Sequence, residues 1–271
     1  MFSLSRWWRD RVLARERQRF SARDLDAAWV SLPMLDGMDE AAARRLADLA
    51  LLFLRAKCLE PVQGVRLDDR MRLLVALQAS LPVLELGLDW YSGWYAVILY
   101  PDEVVSRHEY VDEAGVVWTE SEVRSGESWE RGPVILSWAD VEAGLDRDGY
   151  NVVLHEMAHK LDMRDGTANG CPPLHRGIAA RGWVEAMSGA YDDLARRADA
   201  GEDTPIDPYG AESPAELFAV CTEVFFELPA VLAAEYPAVY AQLRAFYRQD
   251  PLARLAPSGG AGGARYSQPP R

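Results

Sequence analysis

Apolar residues in the first ninety positions recur at helical spacing. Residues 40–57 and 68–80 each repeat apolar side chains every three or four positions, and both segments begin with acidic residues. Acidic side chains suit the positive end of a helix dipole, so this pattern predicts two amphipathic helices. We therefore expect an N-terminal helical region over residues 1–90.

From Tyr91 onward the pattern changes to short runs rich in β-branched and aromatic residues. The run at 94–100 predicts a strand, and the runs at 103–111 and 116–123 flank a polar turn, which predicts a hairpin. A fourth strand is predicted at 133–138. It is either a plain core strand or an edge strand that pairs with an extended peptide.

Helical spacing returns after residue 150. The predicted helices cover residues 151–163, 183–198 and 213–227, with a last pair between 229 and 249. Because helices, strands and helices follow one another, the order favours an α+β fold over alternating βαβ units. We expect a mainly helical chain with a small mixed or antiparallel sheet. The region 91–255 forms one compact unit with residues 1–90, and the Gly/Pro-rich segment 256–271 is a flexible tail.

Composition and charge exclude several classes of protein. The 271 residues are 49% hydrophobic, which is enough for a sizeable core. The net charge of −13 would repel a phosphate backbone, so we expect no direct binding of nucleic acid. No apolar stretch is long enough to span a bilayer, and no signal peptide is visible, which favours a cytoplasmic protein. The three cysteines are widely separated and are predicted to be buried thiols.

The first twenty residues differ from the rest because they contain six arginines next to Trp7 and Trp8. One interpretation is a helix that docks on a membrane surface or a partner protein. The other is a solvated helix whose tryptophans pack on the body of the protein. The sequence leaves both open.

The candidate chemistry lies in residues 151–162, which contain the motif His155-Glu156-x-x-His159. Histidines four positions apart on a helix share one face, so both can reach one metal ion, while Glu156 is placed beside the metal as a general base. Such a motif also occurs in ordinary surface helices, where the histidines are solvated. Its surroundings argue against that here, because they are apolar and contain no proline: Val152, Val153, Leu154, Met157, Ala158 and Leu161.

A third ligand must come from farther along the chain, and the apolar helix predicted after Tyr209 carries two candidates, Glu216 and Glu223. A glutamate on an apolar helix needs a cation or a hydrogen-bonding partner. Glu216 can equally complete a capping box with Ser213, so spacing alone leaves ligand and cap open. Glu223, two turns later, is either a competing ligand or a partner that orients a histidine.

Four segments carry a resemblance to a known family: residues 132–138, 155–162, 213–220 and 246–251. With these motifs the chain resembles the Mlc titration factor A family of bacterial zinc peptidases over nearly its whole length, apart from the tail. The resemblance implies a zincin-like (gluzincin) metallopeptidase. It also implies one zinc ion per chain, bound by His155, His159 and Glu216.

The resemblance further implies hydrolysis of peptide bonds, as an aminopeptidase or on short peptides, with Glu156 activating the attacking water at the zinc ion. The family is also similar to the catalytic domain of anthrax lethal factor, where a tyrosine seven residues before the glutamate ligand stabilises the transition state. Tyr209 stands at that spacing from Glu216. The alternative for Tyr209 is a loop tyrosine packed against the helix.

Members of the resembled family also bind the repressor Mlc, which gives a second function. This chain would then sequester a transcriptional repressor of sugar uptake, so its expected partners are a peptide substrate and a repressor protein. Among the weaker candidates, Asp162 is an acceptor for the second ring proton of His159, a cap or a salt-bridge partner. His108 and His175 are interpreted as incidental.

Overall fold

The described chain is mostly helical and contains two small sheets. A computed structural model gives the backbone of residues 2–102, 104–111, 117–124, 126–128 and 132–255, with side chains for 9–102 and 132–255. The helices are α1 (Phe2–Arg19), α2 (Ala22–Val30), α3 (Glu40–Ala56), α4 (Asp69–Ser80), α5 (Trp138–Ala143), α6 (Val152–Asp162), α7 (Ala180–Asp199), α8 (Pro214–Glu227), α9 (Pro229–Glu235), α10 (Pro237–Tyr247) and α11 (Pro251–Leu255). The strands are β1 (Cys58–Pro61), β2 (Ala96–Tyr100), β3 (Val104–Val111), β4 (Val117–Arg124), β5 (Gly126–Ser128) and β6 (Val134–Ser137). The predicted mainly helical α+β class is confirmed.

The larger sheet has the strand order β1-β2-β6-β5. Strands β1, β2 and β6 run parallel, with Cys58 opposite Ala96 and Val97 opposite Val134. The short edge strand β5 runs antiparallel to β6. We expected a mixed or an antiparallel sheet, and the antiparallel alternative is therefore wrong. Long connections separate the three parallel strands along the chain, and such connections allow strands to return in the same direction.

Strand β1 was missed by the sequence interpretation, and with α4 and β2 it forms a βαβ unit. Leu59 is the one buried residue of β1, so the segment lacks the apolar alternation that predicts a strand. Cys58 in this strand is exposed, which contradicts the predicted burial of all three cysteines, whereas Cys221 is buried; all three are free thiols.

The second sheet is a two-stranded antiparallel pair of β3 and β4. Val104 pairs with Arg124 at one end and Val111 with Val117 at the other, so the predicted hairpin is confirmed. Its turn, the side chain of His108 and the predicted tail lie outside the described residues.

Acidic residues begin the two predicted N-terminal helices. The carboxylate of Asp39 accepts a hydrogen bond from the Ala42 backbone N–H before α3, and that of Asp68 accepts one from Met71 before α4. Both satisfy backbone donors that a helix leaves unpaired in its first turn. The two predicted helices are confirmed.

Helices α6 and α8 pack against each other inside the core. Every residue of α6 except His155 is buried, and in α8 Pro214 and Glu216 are the exceptions. Their hydrophobic cluster includes residues from both ends of the chain, such as Leu13 and Tyr247. Polar side chains on these two helices are therefore held far from bulk water, where each needs a partner.

The C-terminal half of α1 packs on the body of the protein. Leu13 is buried, and an Nη atom of Arg17 lies 2.5 Å from the carboxylate of Asp48. The side chains of Trp7 and Trp8 are not among those described, so both interpretations of this segment stay predictions. None of the described helices combines the length and apolar character that a membrane crossing requires.

Candidate metal centre

Helix α6 presents the two motif histidines on one face. Its N-terminus is set by Asn151, whose Oδ1 accepts a hydrogen bond of 3.0 Å from the Leu154 backbone N–H. No proline interrupts the helix, which ends at Asp162. His155 and His159 are one turn apart, and their ring centroids are 4.8 Å from each other.

Helix α8 brings Glu216 to the same place. The hydroxyl of Ser213 accepts a hydrogen bond of 3.2 Å from the Glu216 backbone N–H, and Pro214 occupies the first turn, where it costs no hydrogen bond. The Glu216 carboxylate lies against the histidines. The two roles that sequence spacing left open are therefore divided: Ser213 caps the helix, and Glu216 faces the candidate site.

Three ligand atoms converge at this point. Nε2 of His155 lies 3.0 Å from Oε2 of Glu216 and 3.1 Å from Nε2 of His159. Nε2 of His159 lies 3.4 Å from Oε2 of Glu216. Nitrogen and oxygen ligands arranged tetrahedrally about zinc lie roughly 3.3 Å from one another, given bonds of about 2.0–2.1 Å. The three side chains therefore fit a single metal ion of this size.

The competing acidic candidate, Glu223, lies on the other side of the His155 ring. Its Oε1 is 2.7 Å from Nδ1 of His155, and its Oε2 accepts a hydrogen bond from the Asn151 backbone N–H. It contacts the ring nitrogen opposite the one that faces His159. The structure therefore groups Glu216, and not Glu223, with the two Nε2 atoms.

The charges of this cluster favour a bound cation. Burial alone would lower the pKa of His155, but Glu223, Glu216 and Glu156 raise it well above its ordinary value. Burial alone would raise the pKa of Glu216, yet hydrogen bonds and charge from the two histidines hold it well below its usual range. Glu216 is thus ionised at neutral pH, which is the form that binds a metal ion.

Glu156 has the environment of a group that takes up protons. It is 2% exposed, and burial raises its pKa against the opposing charges of His159 and His155. Its Oε2 has no hydrogen-bond partner within the described part of the chain. A raised pKa moves a carboxylate towards the working pH of a general base.

Tyr209 lies at the edge of the cluster, in a short 3-10 turn over Pro208–Ala211. The turn is fixed by Asp207, whose carboxylate accepts a hydrogen bond of 2.9 Å from the Tyr209 backbone N–H. The tyrosine ring centroid is 6.1 Å from that of His155, and the residue is 52% exposed. The predicted transition-state tyrosine is therefore next to the candidate metal ligands and open to solvent.

The structure gives the weaker candidates, Asp162 and His175, roles other than binding a metal with the three grouped side chains. Asp162 accepts hydrogen bonds of 2.8 and 2.7 Å from the backbone N–H groups of Asn169 and Gly170, so it orders the loop after α6. Nδ1 of His159 has no hydrogen-bond partner among the described residues, so Asp162 does not accept its ring proton here. His175 stacks on Phe246 in an aromatic cluster and is not one of the three grouped side chains.

The sequence interpretation missed the polar residues behind the histidines. The side-chain amide of Asn151 donates to Gln78 at 2.7 Å and to Glu227 at 2.9 Å, and all three residues are fully buried. Two signals were present in the sequence. Asn directly before an apolar helical run is a typical N-cap, and Glu227 ends a run of apolar residues.

A buried helix with His-Glu-x-x-His and a glutamate from a second helix is the arrangement of metallopeptidases. The chain belongs to the family described as glucose-regulated metallo-peptidase M90, whose profile matches residues 4–248. The resemblance that the motifs indicated is confirmed at the family level.

Relatives named Mlc titration factor A are similar over most of their length. The protein of Edwardsiella ictaluri (strain 93-146) is 42% identical over 233 residues, covering 84% of this chain and 88% of the relative. Those of Yersinia pestis (strain Pestoides F) and Yersinia pseudotuberculosis serotype O:1b (strain IP 31758) are each 40% identical over 236 residues, covering 84% of this chain and 87% of the relative.

Proposed function

We propose that this chain is a zinc-dependent peptidase in which His155, His159 and Glu216 hold one zinc ion. The convergence of their ligand atoms at separations of 3.0 to 3.4 Å carries the proposal. Two imidazoles and a carboxylate suit zinc and leave a coordination position for a fourth ligand. A bound zinc ion would act as a Lewis acid that polarises the substrate carbonyl and lowers the pKa of water.

Two residues of the chain would move or donate protons. Glu156 would accept a proton from the attacking water and pass it to the leaving amine, a role that its burial and raised pKa support. Tyr209 would donate a hydrogen bond from its phenol to the oxyanion that develops on the substrate carbonyl. Its ring beside His155 supports this role.

The proposed substrates are short peptides or the N-terminal residues of peptides. His155 is the one residue of α6 that is not buried, and Tyr209 beside it is half exposed, so the cluster opens to solvent on this side. The preference for short peptides and free N-termini rests on the family resemblance. Peptides of one sequence with a free or an acetylated N-terminus separate aminopeptidase from endopeptidase activity.

A second proposed function is sequestration of a transcriptional repressor related to Mlc. The names of the relatives in Edwardsiella and Yersinia support it. A repressor partner would place the protein in the cytoplasm. Glu156→Gln separates the two functions, because it removes the base while leaving the ligand residues in place. Repressor binding that survives this substitution is independent of catalysis.

Metal content and peptide hydrolysis of purified protein test the main proposal. We expect wild type to carry about one zinc ion per chain and Glu216→Ala to lose it, since the variant keeps only two of three ligands. Glu212→Ala is the matched control, because Glu212 is an exposed glutamate just before the same helix. Wild type without zinc, or a Glu216 variant that retains it as Glu212→Ala does, would contradict the ligand assignment.

A further inference from the structure

A buried asparagine joins the two helices that carry the candidate ligands. Asn151 is fully buried, and its side-chain oxygen caps α6 through the Leu154 backbone N–H. Its side-chain nitrogen, which carries two N–H donors, lies 2.7 to 3.1 Å from oxygens of Gln78 and Glu227 and from the backbone oxygen of Gly144. The start of α6 is thus held by α4, α8 and the end of α5.

Glu223 connects this asparagine to the first histidine. One carboxylate oxygen is 2.7 Å from Nδ1 of His155, and the other accepts the Asn151 backbone N–H. The glutamate is 3% exposed, so both contacts form away from bulk water. A charged acceptor in such a place forms stronger hydrogen bonds than a neutral one.

The spacing of two glutamates on α8 explains why both can contact the His155 ring. Seven residues span about two helical turns, so Glu216 and Glu223 lie on one face of α8. Glu216 faces the Nε2 side of His155 and Glu223 faces its Nδ1 side. The His155 ring therefore lies between two carboxylates of the same rigid helix.

We propose that Glu223 is a positioning residue, which fixes the direction in which His155 presents Nε2 and holds the first turn of α6 in register with α8. The proposal rests on the proposed zinc site. A hydrogen bond to the second ring nitrogen of a ligand histidine sets ring orientation and increases ligand basicity, and its loss typically costs 10- to 100-fold in metal affinity.

Glu223→Gln isolates this role because the side chain keeps its shape. Both oxygens of Glu223 contact nitrogen atoms that can donate, His155 Nδ1 and Asn151 N. Glutamine offers one oxygen and one NH₂ group, so it cannot accept from both. Glu227→Gln is the matched control. Glu227 is equally buried on the same helix and accepts from Asn151 and Gly149, but it contacts none of the candidate ligands.

The test measures zinc affinity by chelator competition and the visible spectrum of the cobalt-substituted protein, neither of which depends on turnover. We expect Glu223→Gln to bind zinc about 10- to 100-fold more weakly than wild type and to show an altered cobalt spectrum. Glu227→Gln should stay within about threefold of wild type, with an unchanged spectrum, because it leaves the His155 contact intact.

The outcomes separate the two proposals. If wild type binds zinc and Glu223→Gln binds it equally tightly, or if Glu227→Gln loses as much affinity as Glu223→Gln, the positioning role is overturned while the zinc site stands. If wild type binds no zinc, the proposed function fails and the positioning role fails with it.

If Glu223→Gln does not fold, the contact between Glu223 and His155 is tested in the wild-type protein, by the NMR resonance of the His155 Nδ1 proton. A downfield, exchange-protected resonance supports the contact, and an unshifted, rapidly exchanging one overturns it.

Discussion

Glu227 allows a quantitative prediction about pH and stability. It is fully buried, and burial raises its pKa from 4.5 to about 8, although hydrogen bonds from Asn151 and Gly149 oppose the shift. Between these two values the folded chain retains a proton that the unfolded chain has lost. The free energy of unfolding therefore falls as pH rises, by about 1.4 kcal/mol per pH unit from this one group.

Replacing Glu227 by glutamine should remove this dependence because an amide does not titrate. At pH values below the pKa of the unfolded chain, Glu227 is protonated in both states and does not reduce the free energy of unfolding. Above the pKa of the folded chain it is ionised in both states, and the reduction is complete. Between about pH 5.5 and pH 7.5, the unfolding free energy of Glu227→Gln relative to wild type should therefore increase by about 3 kcal/mol at most.

Urea unfolding followed by circular dichroism at several pH values within this window measures the effect. Taking the difference between variant and wild type cancels the titration of other groups that both proteins share. Glu212→Gln, at an exposed position, should show a difference that does not change with pH. A difference for Glu227→Gln that is equally constant would refute the assignment of a raised pKa to this residue.

Three further predictions follow from the geometry. Tyr209→Phe should lower kcat roughly 100- to 1000-fold with little change in KM, whereas steady-state kinetics showing a loss confined to KM would contradict its role. Gly170→Ala should lower the melting temperature much more than Gly166→Ala. Both have positive φ, but an added Cβ at Gly170 would lie 2.3 Å from the Pro214 backbone oxygen, and that at Gly166 meets nothing within 4 Å. Ser213→Ala removes the cap of α8 and should reduce the free energy of unfolding by about 1 kcal/mol in urea titrations.

Local sequence predicted the elements that carry the site, because their signals are local. Helix α6 has an apolar run, an N-cap residue and a motif whose spacing matches one helical turn, and all of these lie within a dozen residues. The order Ser213, Pro214, Glu216 predicted the start of α8 in the same way. The direction of the Glu216 side chain remained open, because a glutamate in a capping box and a glutamate that binds a metal would occupy the same position of the helix. Tertiary packing of α8 on α6 resolves it.

Elements without a repeating pattern of apolar residues, and contacts between distant segments, could not be predicted. Strand β1 has one buried residue and is recognised as a strand by its pairing with β2, which lies more than thirty residues away in the chain. The hydrogen bond between Gln78 and Asn151 joins residues 73 positions apart, and the contact between Asn151 and Glu227 joins residues 76 positions apart. A local signal, such as the N-cap position of Asn151, does not indicate which distant residue it contacts, so the network exists only in the folded chain.

The three inward-facing glutamates of α8 have a common consequence for how the protein specifies its site. Burial of an unpaired carboxylate costs several kcal/mol, so each of these residues constrains the packing of its helix. Glu216 is matched by the two histidines, Glu223 by His155 and the Asn151 backbone, and Glu227 by the Asn151 side chain. A slip of α8 by one residue would turn all three away from these partners and towards apolar neighbours. We therefore infer that the contacts which set the register of the two helices also set the geometry of the candidate metal ligands, so that folding and assembly of the site are one event.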